Sequence, residues 1–184
     1  MAELRARLRQ ATAPLHARVD DAFAGFTFDR HDGYRRFLRA HCRALDALEV
    51  ALERAGVHNL LDDWPQRVRR HALRQDIADL GDLPPAPLTA PALCDTGSCW
   101  GAAYVLEGSR LGGQVLAQRL RQATTHAPTR YLDHGDVSRL WPRFLKRFEG
   151  EARADDWPTL LAAAEAAFAL FIDAAALEHD EANR

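Results

Sequence analysis

A histidine and an aspartate one helical turn apart, His16 and Asp20, are the first residues whose types and spacing could do chemistry. Residues four positions apart share one side of a helix, so the Asp20 carboxylate can accept a hydrogen bond from the nearer ring nitrogen of His16. The other ring nitrogen would then be free to bind a metal. The same spacing also occurs in surface pairs that only stabilise a helix, and both interpretations stay open at this point.

The segment YVLEGSRLGGQVLAQRL, residues 104–120, combines a helical pattern with the glycines Gly108, Gly112 and Gly113. Each glycine inside a helix costs about 1 kcal/mol relative to alanine, so something must offset the loss. One interpretation is a loop or a close contact with a neighbouring helix. The other is a helix whose bare backbone must approach a flat ligand that side chains would hold away.

Several common kinds of site are excluded by their patterns. The glycine cluster lacks the Lys and Ser/Thr of a P-loop and follows no strand, so it is not a phosphate-binding loop. None of the eight histidines has an acidic residue three positions before it, as the Glu-x-x-His pairs of a di-iron bundle require. Cys94 and Cys99 do not have zinc-site spacing, and an odd total of three cysteines is typical of a reducing compartment.

Length, charge and hydropathy narrow the class of protein. The 184 residues fit one domain, 1–184, and the net charge of -2 with interspersed signs argues against a nucleic acid or an anionic membrane as the main partner. The N-terminus alternates charged and apolar residues and does not have the pattern of a signal peptide. The most apolar stretch, 160–177, contains Glu165 and Asp173, which favours a buried helix over a membrane span. We therefore expect a cytoplasmic protein that binds small molecules or proteins.

Helices must position these residues, since apolar positions recur at helical spacing and no stretch alternates as a strand would. The first helix carries His16 and is expected to bend or restart at Pro14. The segment 82–93 is too rich in proline for a helix or a central strand and forms the one linker. Further helices are expected over 30–54 with Asp29 as its cap, from Asp63 to a stop at Gly81, over about 95–122, near 136–148, and from an Asp156 cap with Pro158 in its first turn. The sequence predicts an all-α, single-domain bundle of six or seven helices.

Two segments together resemble one known family. LRARLRQATAPLHARVDDAF, residues 4–23, and the glycine-rich segment 104–120 resemble the proximal and distal helices of heme oxygenases, most closely the bacterial enzymes encoded beside bacteriophytochromes. The Pro-rich connection and the closing AAFALFIDAA, residues 166–175, are similar as well. The resemblance implies a helical bundle that holds heme between the first helix and a kinked, glycine-rich distal helix.

The resemblance also implies roles for residues on the proximal side. His16 would ligate the heme iron, and Asp20 would take the place of a glutamate that orients it. Because aspartate is one methylene shorter, the hydrogen bond to His16 is expected to be longer or mediated by water. Arg9 matches a basic position that contacts a heme propionate. Arg143 and Lys146 are further candidates for propionate contacts, with surface charge as the alternative, and Phe168 matches an aromatic residue near heme, a role compatible with core packing.

On the distal side, the resemblance implies a role for each of the three clustered glycines. Gly108 and Gly112 would let the helix backbone approach the porphyrin and the bound oxygen, and Gly113 would permit the bend. Ser109 stands where animal and several bacterial members carry an aspartate that anchors a proton-delivering water network. A serine can hold a water but does not contribute a carboxylate's charge. Serine is normal at this position in the bacteriophytochrome-associated branch, so activity is still implied, with Ser109, Gly108 and Gly112 as the catalytic set.

The implied reaction is the oxidative cleavage of heme, which is both substrate and cofactor, to biliverdin, carbon monoxide and ferrous iron. It needs O2 and electrons from an external donor, a reductase or ferredoxin, and a bacteriophytochrome could accept the bilin. Two alternatives compete. One is a heme-binding carrier or sensor of the same fold, in which Ser109 marks the loss of proton delivery. The other is a helical interaction module that binds no tetrapyrrole.

Overall fold

The computed structural model describes residues 2–28, 31–123 and 126–182. Within these residues the chain forms α-helices and no strand, which confirms the all-α fold. Two single-turn 3-10 helices, Val57–Asn59 and Ala154–Asp156, lie between longer elements. The α-helices are α1 Ala2–Phe23, α2 His31–Arg54, α3 Trp64–Arg67, α4 Arg70–Asp79, α5 Thr96–Ala123, α6 Val137–Glu151 and α7 Trp157–Ala182.

Most of the expected helix boundaries hold within a few residues, with two differences. α1 continues through Pro14 as one helix without a restart. The single helix expected between Asp63 and Gly81 is wrong, because the chain is extended at Val68 and divides into α3 and α4. Gly81 has a φ of 75° and ends the α4 region as expected. The Asp29 cap lies outside the described residues.

The division between α3 and α4 has a local cause. The backbone N–H of Arg69 donates to Glu49 Oε1 at 2.8 Å, and that of Arg70 donates to Glu49 Oε2 at 3.1 Å. Glu49 is buried in α2, so its carboxylate satisfies two amides at the start of α4. This capping from another helix replaces the intrahelical bonds that one continuous helix would have made.

α7 is the central helix of the core and packs against α1, α2 and α5. The helical stretch Ala154–Glu181 is long and apolar enough to cross a membrane by composition, yet half of its most apolar window is buried inside the fold. Core helices of soluble proteins have the same character. We therefore interpret α7 as the helix on which the others are assembled.

The N-terminus of α5 is fixed by a reciprocal cap. The backbone N–H of Ser98 donates to Asp95 Oδ1 at 2.7 Å, and the backbone N–H of Asp95 donates to Ser98 Oγ at 3.1 Å. The Pro-rich segment 82–94 leads into this cap without regular secondary structure. It is tied to α2 where Leu88 N–H donates to the Arg43 carbonyl at 2.9 Å.

Candidate functional site

His16 and Asp20 form a direct hydrogen bond on the exposed side of α1. His16 Nδ1 lies 3.1 Å from Asp20 Oδ2, so the contact is direct and not mediated by water. A carboxylate only accepts, so we assign the proton to Nδ1, which leaves the Nε2 lone pair of a neutral His16 available to a metal. The two side chains are 68% and 69% exposed, so Nε2 faces space that a ligand could fill.

The position of His16 along the core follows from the packing of α1 on α7. The Arg7 guanidinium lies 3.9 Å from the centre of the Trp157 ring at the start of α7. The His16 ring lies 6.2 Å from the ring of Phe168, eleven residues further along α7. α1 and α7 therefore run in the same direction, and His16 stands level with Phe168.

α5 also runs in the direction of α7, and it packs closer. An added Cβ on Gly97 would lie 2.5 Å from Thr159 Oγ1, and one on Gly101 would lie 2.0 Å from the Leu160 carbonyl oxygen. The two helices therefore meet at their backbones, a close contact that the sequence analysis missed. Helices rise equally per residue, so counting on from Gly101 places Gly108 level with Phe168. His16 and Gly108 thus reach the same level of α7 from two different helices.

Packing within the protein explains one of the three clustered glycines and leaves two without a reason. A Cβ on Gly113 would lie 3.2 Å from the Leu132 carbonyl oxygen, so the bare backbone there accommodates the following loop. A Cβ on Gly112 would meet nothing within 4 Å, and one on Gly108 would only make an ordinary 3.9 Å contact with Trp141. Leu111, beside them, is 45% exposed. This face of α5 is open, apolar and bare.

Ser109 lies one residue beyond the first of these glycines and is held by a buried arginine. Its hydroxyl donates to the Leu106 carbonyl at 2.7 Å and accepts from Arg69 Nη2 at 3.0 Å. Arg69 also donates to the Leu106 carbonyl at 2.8 Å and is 4% exposed. The serine that departs from the family's aspartate is therefore accompanied by a fixed cation.

The Arg69 side chain is buried beside aromatic rings. Its guanidinium lies 5.4 Å from the centre of the Tyr131 ring, and its buried Nε has no hydrogen-bond partner in the described part of the chain. The ring of His41 lies 5.5 Å from that of Tyr131. Burial lowers the pKa of His41 to about 4; the hydrogen bond to the Phe37 carbonyl opposes this in part, and the Arg69 charge adds a smaller lowering effect. His41 is therefore neutral at physiological pH.

A buried network of ion pairs holds α5 against α3. Arg110 donates to both oxygens of Glu107 at 3.0 Å and to the Arg67 carbonyl. Glu107 in turn accepts from the Arg67 side chain, which also binds Asp63 at the N-terminus of α3. Burial and the nearby Arg69 charge lower the pKa of Arg110. Because the four side chains are buried, this network holds α5 at a fixed position against α3.

Tyr104, one turn before Gly108, is a residue that the sequence analysis missed. Burial raises the pKa of its hydroxyl, and the charges of Arg5 and Arg9 oppose that rise. The charges of these two α1 arginines therefore act on the Tyr104 hydroxyl, whose ring packs against Trp141 of α6. The signal available in the sequence was its spacing of four residues from Gly108, which puts both on one side of α5.

The structure gives the two basic residues expected from α6 different surroundings. Arg143 Nε lies 3.5 Å from Asp63 Oδ2 of the loop before α3, with its side chain 47% exposed, and its contact with a propionate stays a prediction. Lys146 is exposed and lies one turn before Glu149, whose carboxylate binds Arg5 of α1 at 2.9 Å. Lys146 is thus on the side of α6 that faces α1.

No group of three or more His, Cys, Asp or Glu side chains in ranges 2–28, 31–123 and 126–182 could hold a metal ion. His16 offers a single nitrogen, which suits an iron that already has its other ligands. The site therefore suits a flat, preformed metal complex. It consists of the bare face of α5, the single imidazole of His16 and the buried Arg69 cation.

The chain was compared with known proteins. No protein-family model matches it. It is 36% identical over 149 residues to a curated heme oxygenase of Xanthomonas campestris pv. campestris (strain 8004), an alignment covering 76% of this chain and 87% of that protein. Its structure superposes on the NO- and CO-bound heme oxygenase of Neisseria meningitidis with a TM-score of 0.82 at 20% identity, over 96% of this chain and 92% of the other. The heme oxygenase of Leptospira interrogans gives a TM-score of 0.73 at 17% identity, over 95% and 98%.

Proposed function

This chain belongs to the heme oxygenase family and is an enzyme that degrades heme, and from that premise we propose that it opens the porphyrin to biliverdin, carbon monoxide and ferrous iron. The reaction would use O2 and electrons from an external reductase or ferredoxin. The proposal rests on the His16 ring, 6.2 Å from that of Phe168, and on Gly108, which by residue count from the Gly101–Leu160 contact reaches the same level of α7.

The residues at this level fit heme. A flat porphyrin needs a bare wall, and the backbone at Gly112 meets no protein atom that would explain a missing side chain. Its apolar faces need apolar neighbours, which Phe168 and Leu111 supply. Its iron needs one axial donor, and His16 Nε2 is free to be that donor. When bound, heme supplies both the ring that is cleaved and the redox-active iron at which dioxygen is reduced.

On the proximal side, the chain's task is to hold one nitrogen at a fixed orientation. The Asp20 carboxylate fixes the tautomer and the orientation of the His16 ring. Loss of such an orienting partner typically costs ten- to a hundredfold in metal affinity. Both side chains are on α1, so their geometry is independent of loop movement.

On the distal side, we propose that Ser109 and Arg69 act as a unit. A guanidinium does not serve as a proton source in proteins, but the charge of Arg69 would polarise the Ser109 hydroxyl and any water bound to it. Ser109 Oγ can accept from Arg69 while its proton turns from the Leu106 carbonyl towards a water in the cleft. Proton delivery would then come from solvent through water held by this pair.

Anchoring of the two propionates is assigned to the end of the cleft where α1 approaches α5 and α6. The Arg9 charge acts on the Tyr104 hydroxyl, and the exposed Lys146 is on the α1 side of α6. Cationic and hydroxyl donors form strong, directional hydrogen bonds to carboxylates. These anchors would set the rotation of heme in its plane and so the carbon that is opened.

We also propose a cytoplasmic location and a bacteriophytochrome as the acceptor of the bilin. The three free cysteines suit a reducing compartment. Ser109 in place of aspartate supports the bacteriophytochrome-associated branch, because a built-in partner, Arg69, accompanies the serine.

The test is a titration of the purified protein with hemin, followed by ascorbate in air with catalase present. We expect a saturable Soret shift and then the absorbance of biliverdin. Catalase removes free peroxide, so biliverdin formed under these conditions comes from the coupled reaction. A Soret shift without biliverdin would leave only the carrier or sensor alternative. Absence of a Soret shift would mean that the protein does not bind heme.

A further inference from the structure

Trp141 of α6 lies beside the bare face of α5. Its Cη2 atom is 3.9 Å from the point that a Cβ on Gly108 would occupy. Apart from the chain neighbours of Gly108, no other side chain of the described residues comes within 4 Å of that point. The indole is only partly buried, so one edge of it borders open space. Trp141 therefore bounds the space in front of Gly108 on the α6 side.

Two aromatic rings hold the indole in place. It stacks on Phe144 of the same helix, with the ring centres 5.6 Å apart and the planes 15° from parallel. The ring of Tyr104 lies 6.0 Å away at an angle of 53°. Because Phe144 is completely buried, the stack ties the orientation of the indole to the core.

One buried guanidinium group fixes the spacing between Trp141 and Gly108. Arg67 Nη1 donates to Glu107 Oε2 at 2.5 Å and to the Leu140 carbonyl at 3.2 Å. Glu107 directly precedes Gly108, and Leu140 directly precedes Trp141. The bridge lies inside the protein, where such hydrogen bonds are strong and hold the groups that they join. The indole and the glycine wall therefore belong to one rigid frame.

We propose that Trp141, together with the propionate anchors, determines which meso carbon of heme is opened. This inference rests on the proposed function. The four meso carbons differ in their position around the ring, so the carbon that reacts depends on how far the ring is turned in its own plane. The anchors hold one edge of the ring, and the indole beside Gly108 is a second, rigid stop. Without that stop, the ring can turn into the space that the indole leaves.

Two variants remove this stop to different extents. Trp141→Ala removes the whole indole, whereas Trp141→Phe keeps a ring on Phe144 that ends short of Gly108. Trp64→Phe is the matched control, because the Trp64 indole is buried against α2, where its N–H donates to Glu53 at 3.2 Å.

The orientation of the ring is measured without turnover. Each protein is loaded with hemin and cyanide, and the heme methyl signals in the proton NMR spectrum report how the ring is turned. The same proteins, without cyanide, then react with ascorbate and catalase, and the biliverdin isomers are separated by chromatography.

We expect the parent and Trp64→Phe to give one set of methyl signals and one predominant isomer. Trp141→Ala should give a second set of signals and lower the ratio of the main isomer to the others by up to about tenfold, as expected for loss of one aromatic contact. Trp141→Phe should lie between the two, and it stays informative even if Trp141→Ala folds poorly.

The proposal is overturned if both Trp141 variants keep the methyl signals and the isomer ratio of the parent. It is also overturned if the orientation changes while the isomer stays the same, or if the parent already forms a mixture of isomers. A parent that binds hemin without forming biliverdin rejects the proposed function instead. In that case, unchanged methyl signals in the variants would separately reject the contact between Trp141 and the ring.

Discussion

Replacement of Gly112 by alanine should raise the stability of the heme-free protein and lower its activity. A Cβ at this position meets no protein atom within 4 Å, so the substitution adds no clash in the heme-free protein. Alanine in a helix interior is favoured over glycine by about 1 kcal/mol. For a chain of this size, that gain corresponds to a rise of about 2–4 °C in melting temperature. Gly112→Ala should therefore stabilise the protein without heme.

The same methyl group should impair the reaction. Carbon atoms pack at about 3.5–4.0 Å, so a methyl group on this wall would hold a porphyrin away from the helix backbone. A displacement of about 1 Å at a reacting centre typically costs a hundredfold in rate. We expect Gly112→Ala to lower the rate of biliverdin formation between tenfold and a hundredfold, with a shifted Soret band.

Thermal unfolding of the heme-free protein and single-turnover absorbance with ascorbate measure the two effects independently. Gly113→Ala is the matched control, because its Cβ would lie 3.2 Å from the Leu132 carbonyl oxygen and gain no comparable stability. If Gly112→Ala raises the melting temperature but leaves the Soret band and turnover unchanged, the open face of α5 does not contact heme. The site derived from His16 and Gly108 would then be wrong.

Three further predictions follow from the site and its surroundings. His16→Ala should abolish nearly all turnover by removing the axial nitrogen, and added imidazole should restore part of the Soret band; wild-type turnover would reject the ligand assignment. Arg69→Met should lower turnover at least about tenfold while heme affinity, measured by titration, stays within about threefold; a proportional loss of affinity would indicate a merely structural role. Because the pKa of His41 is lowered to about 4 in the folded state, that state binds fewer protons than the unfolded state between pH 6.5 and 4. The free energy of unfolding should therefore fall by up to about 3 kcal/mol as the pH is lowered from 6.5 to 4. Urea unfolding of His41→Leu should show a smaller fall, and an unchanged slope would exclude His41 as the cause.

The sequence predicted the helices and the proximal pair because those depend on neighbours within one or two turns. The positions of Leu4 and Leu8 and the Gly81 stop are local signals of this kind. The division at Val68 could not be predicted in this way, because Glu49, twenty residues earlier, supplies the caps. A carboxylate that reaches amides from another helix leaves no periodic pattern.

The same limit explains the residues that were missed around the site. Arg69 and Tyr104 are ordinary residues in the sequence, and only the folded chain places Arg69 on Ser109 and the Arg9 charge near the Tyr104 hydroxyl. Arg143 and Lys146 were equivalent as basic residues of one helix. The Asp63 carboxylate, fixed by α3, distinguishes them.

The pairing of Ser109 with Arg69 bears on how a serine could replace an aspartate at this position. An aspartate at this position would bring a negative charge and, beside a buried arginine, would form an ion pair that neutralises it. Serine carries no charge, so in the proposed mechanism the Arg69 cation, with the buried Glu49 carboxylate also acting on it, would stabilise negative charge developing on a ligand bound against α5. A guanidinium can do this without being a proton source. Water held by Ser109 would then supply the proton, so charge stabilisation and proton delivery would be separate tasks in this chain.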